Sequence, residues 1–351
     1  MISNYQDFWS WFLQHEKSFY KVVKSGKDIE NGFFKHLSQK LGELGEGYYF
    51  LTGMLDEETV ELVLTADGII ERIVFVEELV NEAPVIPGWK FTSSKPPVDV
   101  KGMAINLDNI SVSQDYLSFY PNLHPDFPDE IDITIVCEGY TPENANKLAT
   151  AVYIFLDNYL GELRSVTVID NHSIVGPDQA KAERIPIEKL NEYLRWRENE
   201  FVEKYDGLRY NTEDDEYTQL KAEFPDGKPL LVTINSTLLD WDRKASHPWI
   251  FTLEIYYDGK TNDGLPTEEL YQLLEDIELE AEEYLPDFDG YLNLGRKTGN
   301  GEREVYFACK DFRKPSKVAE YLIRKYQGQL EMDYSIYKDK YWQAFNKYRV
   351  V

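Results

Sequence analysis

The order of local patterns predicts an α+β protein made of two antiparallel-sheet, two-layer domains, 1–200 and 201–351. Three observations carry this expectation. Runs with helical spacing and runs with strand alternation succeed one another in both halves of the chain. The 351 residues exceed what a single core of ordinary size serves. The second half reads strand, strand, helix, strand, strand, helix, strand, the order of a sheet with helices layered on it, and the first half offers a looser version of the same order. Both domains are therefore expected to be ferredoxin-like in character.

In chain order, Tyr5, Phe8, Trp9 and Phe12 occupy one helical face and predict a helix over 4–24. Ile29, Phe33, Leu37 and Leu41 recur at four-residue steps and predict a second helix that ends at Gly42. Strands are expected from Tyr48 to Met54, Val60 to Leu64 and Ile69 to Val76, with Asp67-Gly68 as a tight hairpin between the last two. A short helix from Val76 to Ala83 should stop at Pro84. Ile131, Ile133 and Ile135 alternate with polar residues as a half-buried strand does, Thr141-Pro142 opens a helix, and Arg164 to Asp170 predicts a further strand. Ile187 to Tyr205 reads as helix. Beyond it, strands are expected at 230–235, 249–257, 291–296 and 304–309, helices at 267–284 and 316–326, and a last strand over 329–337.

Composition excludes several classes of function. The 63 acidic and 37 basic residues leave a formal charge of −26, which opposes nucleic acid and anionic membrane. DNA is not expected as a partner, and RNA is disfavoured. No basic region precedes an apolar stretch at the start, and no window reaches the ~20 apolar residues of a membrane span, so a cytoplasmic protein is expected. The two cysteines, Cys137 and Cys309, sit in separate strand-like runs and read as buried thiols rather than a disulfide or a metal knuckle. The five histidines lack metal-binding spacing, so neither a metal nor a cofactor is expected. Gly42 to Gly47 and Gly295 to Gly301 lack the strand-to-helix order and the G-K-[ST] ending of phosphate loops, and read as turns, the second as a long hairpin.

Charge is segregated in the second half. Residues 261–295 hold 11 acidic and no basic side chains, whereas 296–351 hold 13 basic and 7 acidic ones. Glu268, Glu269, Glu275, Asp276, Glu282 and Glu283 are the candidate binding residues, on a helix whose apolar stripe of Leu270, Leu274, Ile277, Ala281 and Tyr284 sends its carboxylates to the opposite face. Partial neutralisation of that face by the basic C-terminal segment is the plainer reading. His172 and His247 are the candidate pocket residues. At the C-terminus, Tyr334, Tyr337, Tyr341, Phe345 and Tyr348 recur at helical spacing, interleaved with Lys338, Lys340, Lys347 and Arg349, and are expected to pack on the sheet.

The second half resembles the family called domain of unknown function 695. The carrying residues are Pro229 to Asn235, Asp263-Gly264-Leu265-Pro266-Thr267-Glu268-Glu269, Gly295-Arg296 with Thr298-Gly299 before Tyr306-Phe307, and Asp339 to Trp342, and the resemblance covers roughly 200–351. The family has no assigned activity. Members joined to a ferredoxin-like domain similar to the acidic protein inhibitors of ribonuclease E imply a protein-binding, inhibitory role. The expectation is a non-enzymatic protein-binding or regulatory module that uses an acidic surface against a basic protein such as a nuclease or toxin. The rival is a hydrolytic or nucleotide-handling enzyme whose site is assembled from distant residues.

Overall fold

Asn4 opens the first helix, α1 (Tyr5–Ser25), by accepting a 2.9 Å bond from the Asp7 amide, and Gly26 closes it in the left-handed region. The computed structural model that shows this describes residues 4–349. A π-turn (Glu30–Phe34) leads into α2 (Lys35–Gly42), and then come β1 (Tyr49–Met54), β2 (Val60–Thr65), α3 (Ile70–Asn81) and β3 (Trp89–Ser93). β1 runs antiparallel to β2, and α3 crosses over to set β3 parallel to β2. Phe8, Trp9, Phe12, Phe19, Phe33 and Trp89 are buried together, with ring centroids mostly 5–6 Å apart. The chain continues through the hairpin β4 (Ala104–Leu107) and β5 (Ile110–Ser113), then β6 (Leu117–Asn122), β7 (Asp132–Cys137), α4 (Ala145–Leu160), α5 (Glu162–Thr167), β8 (Asn171–Val175) and β9 (Ile185–Pro186). The second sheet has the order β8-β7-β6-β9, with β7 and β8 parallel across α4. α6 (Leu190–Tyr205) follows. Met1–Pro125 and Glu130–Glu198 form one unit, and Asp126–Asp129 with Asn199–Val351 form the other.

The first unit departs from expectation at three places. Ile69 to Val76, expected as a strand, is the start of α3. Asp67 and Gly68 do take the positive φ of a tight turn, but Ile73, Val76 and Leu79 are buried at three-residue steps, and that period outweighs their β-branched composition. Arg164 to Asp170 is helical at its start, in α5, and the strand begins only at Asn171. The reason is Glu162, fully buried, whose carboxylate accepts from the Thr65 hydroxyl (2.5 Å) and from the Gly68 and Lys95 amides (2.9 Å each). The helix is anchored where those three donors converge. Thr141-Pro142 precedes α4 by a turn instead of capping it, and the Asn144 carboxamide accepts from the Thr141 amide at 2.9 Å.

The second unit continues with β10 (Tyr217–Glu223), β11 (Pro229–Asn235), α7 (Ser236–Asp240), β12 (Trp249–Tyr256), α8 (Glu268–Tyr284), β13 (Tyr291–Gly299), β14 (Glu302–Cys309), α9 (Arg313–Tyr326) and β15 (Glu331–Lys338). All neighbours in its sheet are antiparallel, in the order β10-β11-β13-β14-β12-β15. β13 and β14 meet at Asn300-Gly301, both at positive φ, as a two-residue hairpin requires. Arg303, Val305 and Phe307 point to the α8 side, and Tyr306 and Ala308 point to the other, where Leu238, Leu239, Trp342 and Phe345 close a second core. The C-terminal aromatic run is therefore no helical face. Tyr334 and Tyr337 alternate along β15, and Phe345 and Tyr348 belong to a 3-10 turn after it. Asp129 accepts from the Tyr205 and Tyr341 hydroxyls at 2.7 and 2.8 Å and from Lys204 at 2.8 Å, and these three partners hold its carboxyl below the usual range against the opposing effect of burial.

Candidate functional site

Thr267 starts α8 by accepting from the Leu270 amide, and the buried Leu274, Ile277 and Ala281 draw the helix onto the sheet. Of the six predicted binding residues, Glu268, Glu269, Asp276 and Glu283 are exposed. Glu275 is not free: it pairs with Arg303 at 2.8 Å and with Arg296 at 3.2 Å. Glu282 bonds the Asn293 carboxamide. Glu278, which is not among the six, is buried beneath the helix at 2.9 Å from Arg296 and 3.6 Å from Arg303, and burial raises its pKa despite both arginines. Glu280 pairs with Lys325 at 2.5 Å and accepts from Tyr326 at 2.8 Å. The expectation that the helix sends its carboxylates to solvent fails for half of them, because Arg296 and Arg303 stand on the strands below and Lys325 on the neighbouring helix.

The two candidate histidines lie in different units. His172 is on β8, exposed, with Tyr153 edge-on at 5.1 Å. His247 is fully buried; its Nδ1 lies 2.8 Å from the Ser246 hydroxyl, Trp241 is 5.5 Å away, and Nε2 has no partner among the described residues. Burial, aided by Lys310, pushes its pKa down to about 3. Neutral in the folded protein and protonated near pH 6.5 when unfolded, His247 favours folding fully only above that pH. Stability should fall by about 2 kcal/mol from this residue alone on going from pH 7 to pH 5. Denaturant titration of the wild type and His247→Gln across that range checks it, and equal pH slopes would refute it. Neither thiol is poised as a nucleophile: burial raises Cys137 to about 11 and holds Cys309 well above the usual thiol range. Among the described residues no group of three or more His, Cys, Asp or Glu is placed to hold a metal ion.

A cleft of about 870 Å³ opens at one end of the sheet of the second unit, between Lys228, Tyr257, Lys260, Asp263, Asn300 and Glu331. The Gly264 carbonyl accepts from Gly301 N at 2.8 Å, and a Cβ on Gly264 would stand 2.8 Å from the Asn300 backbone. The Asp263-Gly264-Leu265-Pro266-Thr267 stretch thus seats a loop against the hairpin turn and caps a helix. It carries no reactive group of its own.

The sheet face opposite α8 carries an unbalanced charge. Its upper half is covered by Trp342, Phe345 and α7. Below, Glu304 of β14 pairs across to Glu254 of β12, and Glu254 pairs across to Asp333 of β15. One step further along, Glu302, Tyr256 and Glu331 form a second row. Side chains directly opposite on neighbouring strands stand ~5 Å apart, so the first row places like charges in contact, which destabilises a sheet, while in the second Tyr256 stands between Glu302 and Glu331. The only cation in the same rows is Lys297, which pairs with Glu304. The pKa of Glu302 is raised by burial and by Glu304 and Glu254, in spite of Lys297. A cavity of about 270 Å³ between this face and the C-terminal turn is lined by Glu254, Glu302, Glu304, Tyr306, Tyr337 and Lys347. The signal was present in the sequence as acids two residues apart, Glu302/Glu304 and Glu331/Asp333, but the acid-dense helix drew the prediction away from it.

Residues 223–348 match the model of a family of unknown function, DUF695. No curated protein and no solved structure matches the chain.

Proposed function

We propose that the chain is a protein-binding module whose second unit takes a basic partner protein on the open acidic half of its sheet. One observation carries this reading: two adjacent cross-strand rows hold five carboxylates against one lysine, on the part of the face that opens into the cavity beside the C-terminal turn. The first of these rows weakens the free sheet, and a partner's lysines and arginines remove the repulsion on binding, so the affinity includes relief of that strain. The α8 face fits the role less well, since half of its carboxylates already have partners inside the unit. An enzyme built around the histidines is less favoured, because His247 is enclosed by its own core and His172 lies in the other unit. The run β12-α8-β13-β14-α9-β15, with strands ordered β15-β12-β14-β13, supports a ferredoxin-like reading of this unit, extended by β10 and β11.

The test uses hexaarginine and hexalysine as basic probes, titrated against the full chain at low and high salt. Glu302→Lys combined with Asp333→Lys should weaken binding at least tenfold, while Glu268→Lys combined with Glu269→Lys leaves it within about twofold. Equal loss in the two variants would overturn the assignment to the sheet face.

A further inference from the structure

One short stretch belongs to the second unit although the strands on either side of it belong to the first. The connection from β6 to β7 spans residues 123–131, longer than the roughly two to five residues of a common hairpin loop, and its middle, Asp126–Asp129, is part of the second unit. Asp129 is held there at every polar atom. Its amide donates to the Tyr341 hydroxyl at 2.9 Å, its carbonyl accepts from Lys340 Nζ at 2.7 Å, and its carboxylate accepts from Lys204 (2.9 and 2.8 Å), Tyr205 (2.7 Å) and Tyr341 (2.8 Å). The half-buried Phe127 ring stands 5.0 Å from that of Tyr341. Pro128 between them restricts its own backbone and that of Phe127, which lowers the entropy lost on seating the segment. The receiving side chains come from the last turns of α6 and from the turn after β15, where Lys340 is 6 % exposed and its ammonium lies 5.0 Å from the Phe201 ring centre. Emptying the site takes an acceptor from Lys204, Tyr205, Lys340 and Tyr341 at once, and donors removed from water favour a replacement of the same chemistry.

We infer that Phe201, Lys204, Tyr205, Lys340 and Tyr341 form a recognition site for acidic peptides of the form Phe-Pro-Asp, filled in this chain by its own residues 127–129, and that a partner segment of that chemistry binds by displacing the loop. Specificity divides between two contacts. Lys204 reads both carboxylate oxygens through charge-assisted hydrogen bonds, which are stronger than neutral ones, and the Tyr341 ring takes the aromatic side chain. The loop is tethered at both ends by β6 and β7, so it competes at an effective concentration on the order of mM, and a peptide added to the wild type meets an occupied site. Lys340 and Tyr341 lie within the stretch that matches the family of unknown function, whereas the loop lies outside it, so this part of the site and its occupant are separate pieces of the sequence. The inference is independent of what the acidic sheet face binds.

The probe is the acetylated and amidated peptide of residues 123–131, titrated calorimetrically against the full chain. It should bind the chain carrying Phe127→Ala with Asp129→Ala at least tenfold more tightly than the wild type, whose own loop competes. Asp129→Asn in the peptide should weaken that binding at least tenfold. Hydrogen exchange gives a second readout that does not require the doubly substituted chain to fold. Asp129→Asn in the full chain keeps the shape of the side chain, and it should speed exchange of the Phe127 and Asp129 amides at least tenfold while leaving β14 unchanged; millimolar free peptide should do the same in the wild type. No binding to the emptied chain, equal affinity for the emptied and wild-type chains, or loop exchange that Asp129→Asn leaves unchanged overturns the inference.

Discussion

Arg303→Ala is expected to destabilise the second unit by about 3–5 kcal/mol, the cost of breaking a buried ion-pair network by removing one of its members. Arg303 is 1 % exposed, and its guanidinium lies among Glu275 (2.8 Å), Glu278 (3.6 Å), the Thr298 hydroxyl (3.1 Å) and the Tyr271 ring (5.0 Å). Removing it takes from Glu275 its nearer cation and leaves the buried Glu278, already raised in pKa, with Arg296 alone. The double variant Arg303→Met with Glu278→Leu keeps the Arg296–Glu275 pair and removes both members of the other, so it should recover most of the loss. Chemical denaturation of the two variants distinguishes the causes. A double variant as unstable as the single one would mean that packing, not charge, holds this helix to the sheet.

Gly295→Ala is expected to cost on the order of 4 kcal/mol or more, enough to leave the unit largely unfolded. Gly295 has φ +122° at a bulge in the β13–β14 pairing, where its amide donates to the Asn293 carboxamide at 2.6 Å. A Cβ there would lie 2.1 Å from the Thr233 carbonyl oxygen and 2.8 Å from the Ile234 Cα, backbone atoms of a paired strand that cannot retreat. Gly207→Ala is the control: it too has positive φ, but open space surrounds it, so about 1 kcal/mol is expected. Thermal unfolding compares the two, and similar losses would show that conformational strain alone, without the collision, sets the effect.

These cases mark how far the sequence could be read. The α+β class, the capped α8, a hairpin between β13 and β14 (though its turn is Asn300-Gly301 and not the whole of 295–301) and most strands of the second unit were legible because each rests on residues within one or two turns of each other. α3 and α5 were not, since short β-branched runs satisfy either period, and the deciding contacts at Glu162 come from residues 65, 68 and 95. The family resemblance lay in residues whose work is steric and local, Gly264 against Asn300 and Gly295 against Thr233, which is why it carried no chemistry. Glu275 and Glu282 were read as solvent-facing because nothing near them in the sequence announces Arg303 or Asn293. The acidic sheet face was invisible for the same cause: Glu254, Glu304 and Asp333 become neighbours only once the strand order is known.

The enclosed carboxylate of Glu162 also sets a constraint on the order of folding. Its three donors lie 97, 94 and 67 positions away along the chain, so it cannot be satisfied until a loop of that length has closed. Until then α5 would hold a desolvated charge, and the segment gains by staying open. The β2–β3 layer and α5 are thereby tied to one event of high contact order, which binds these parts of the first unit into a single cooperative block.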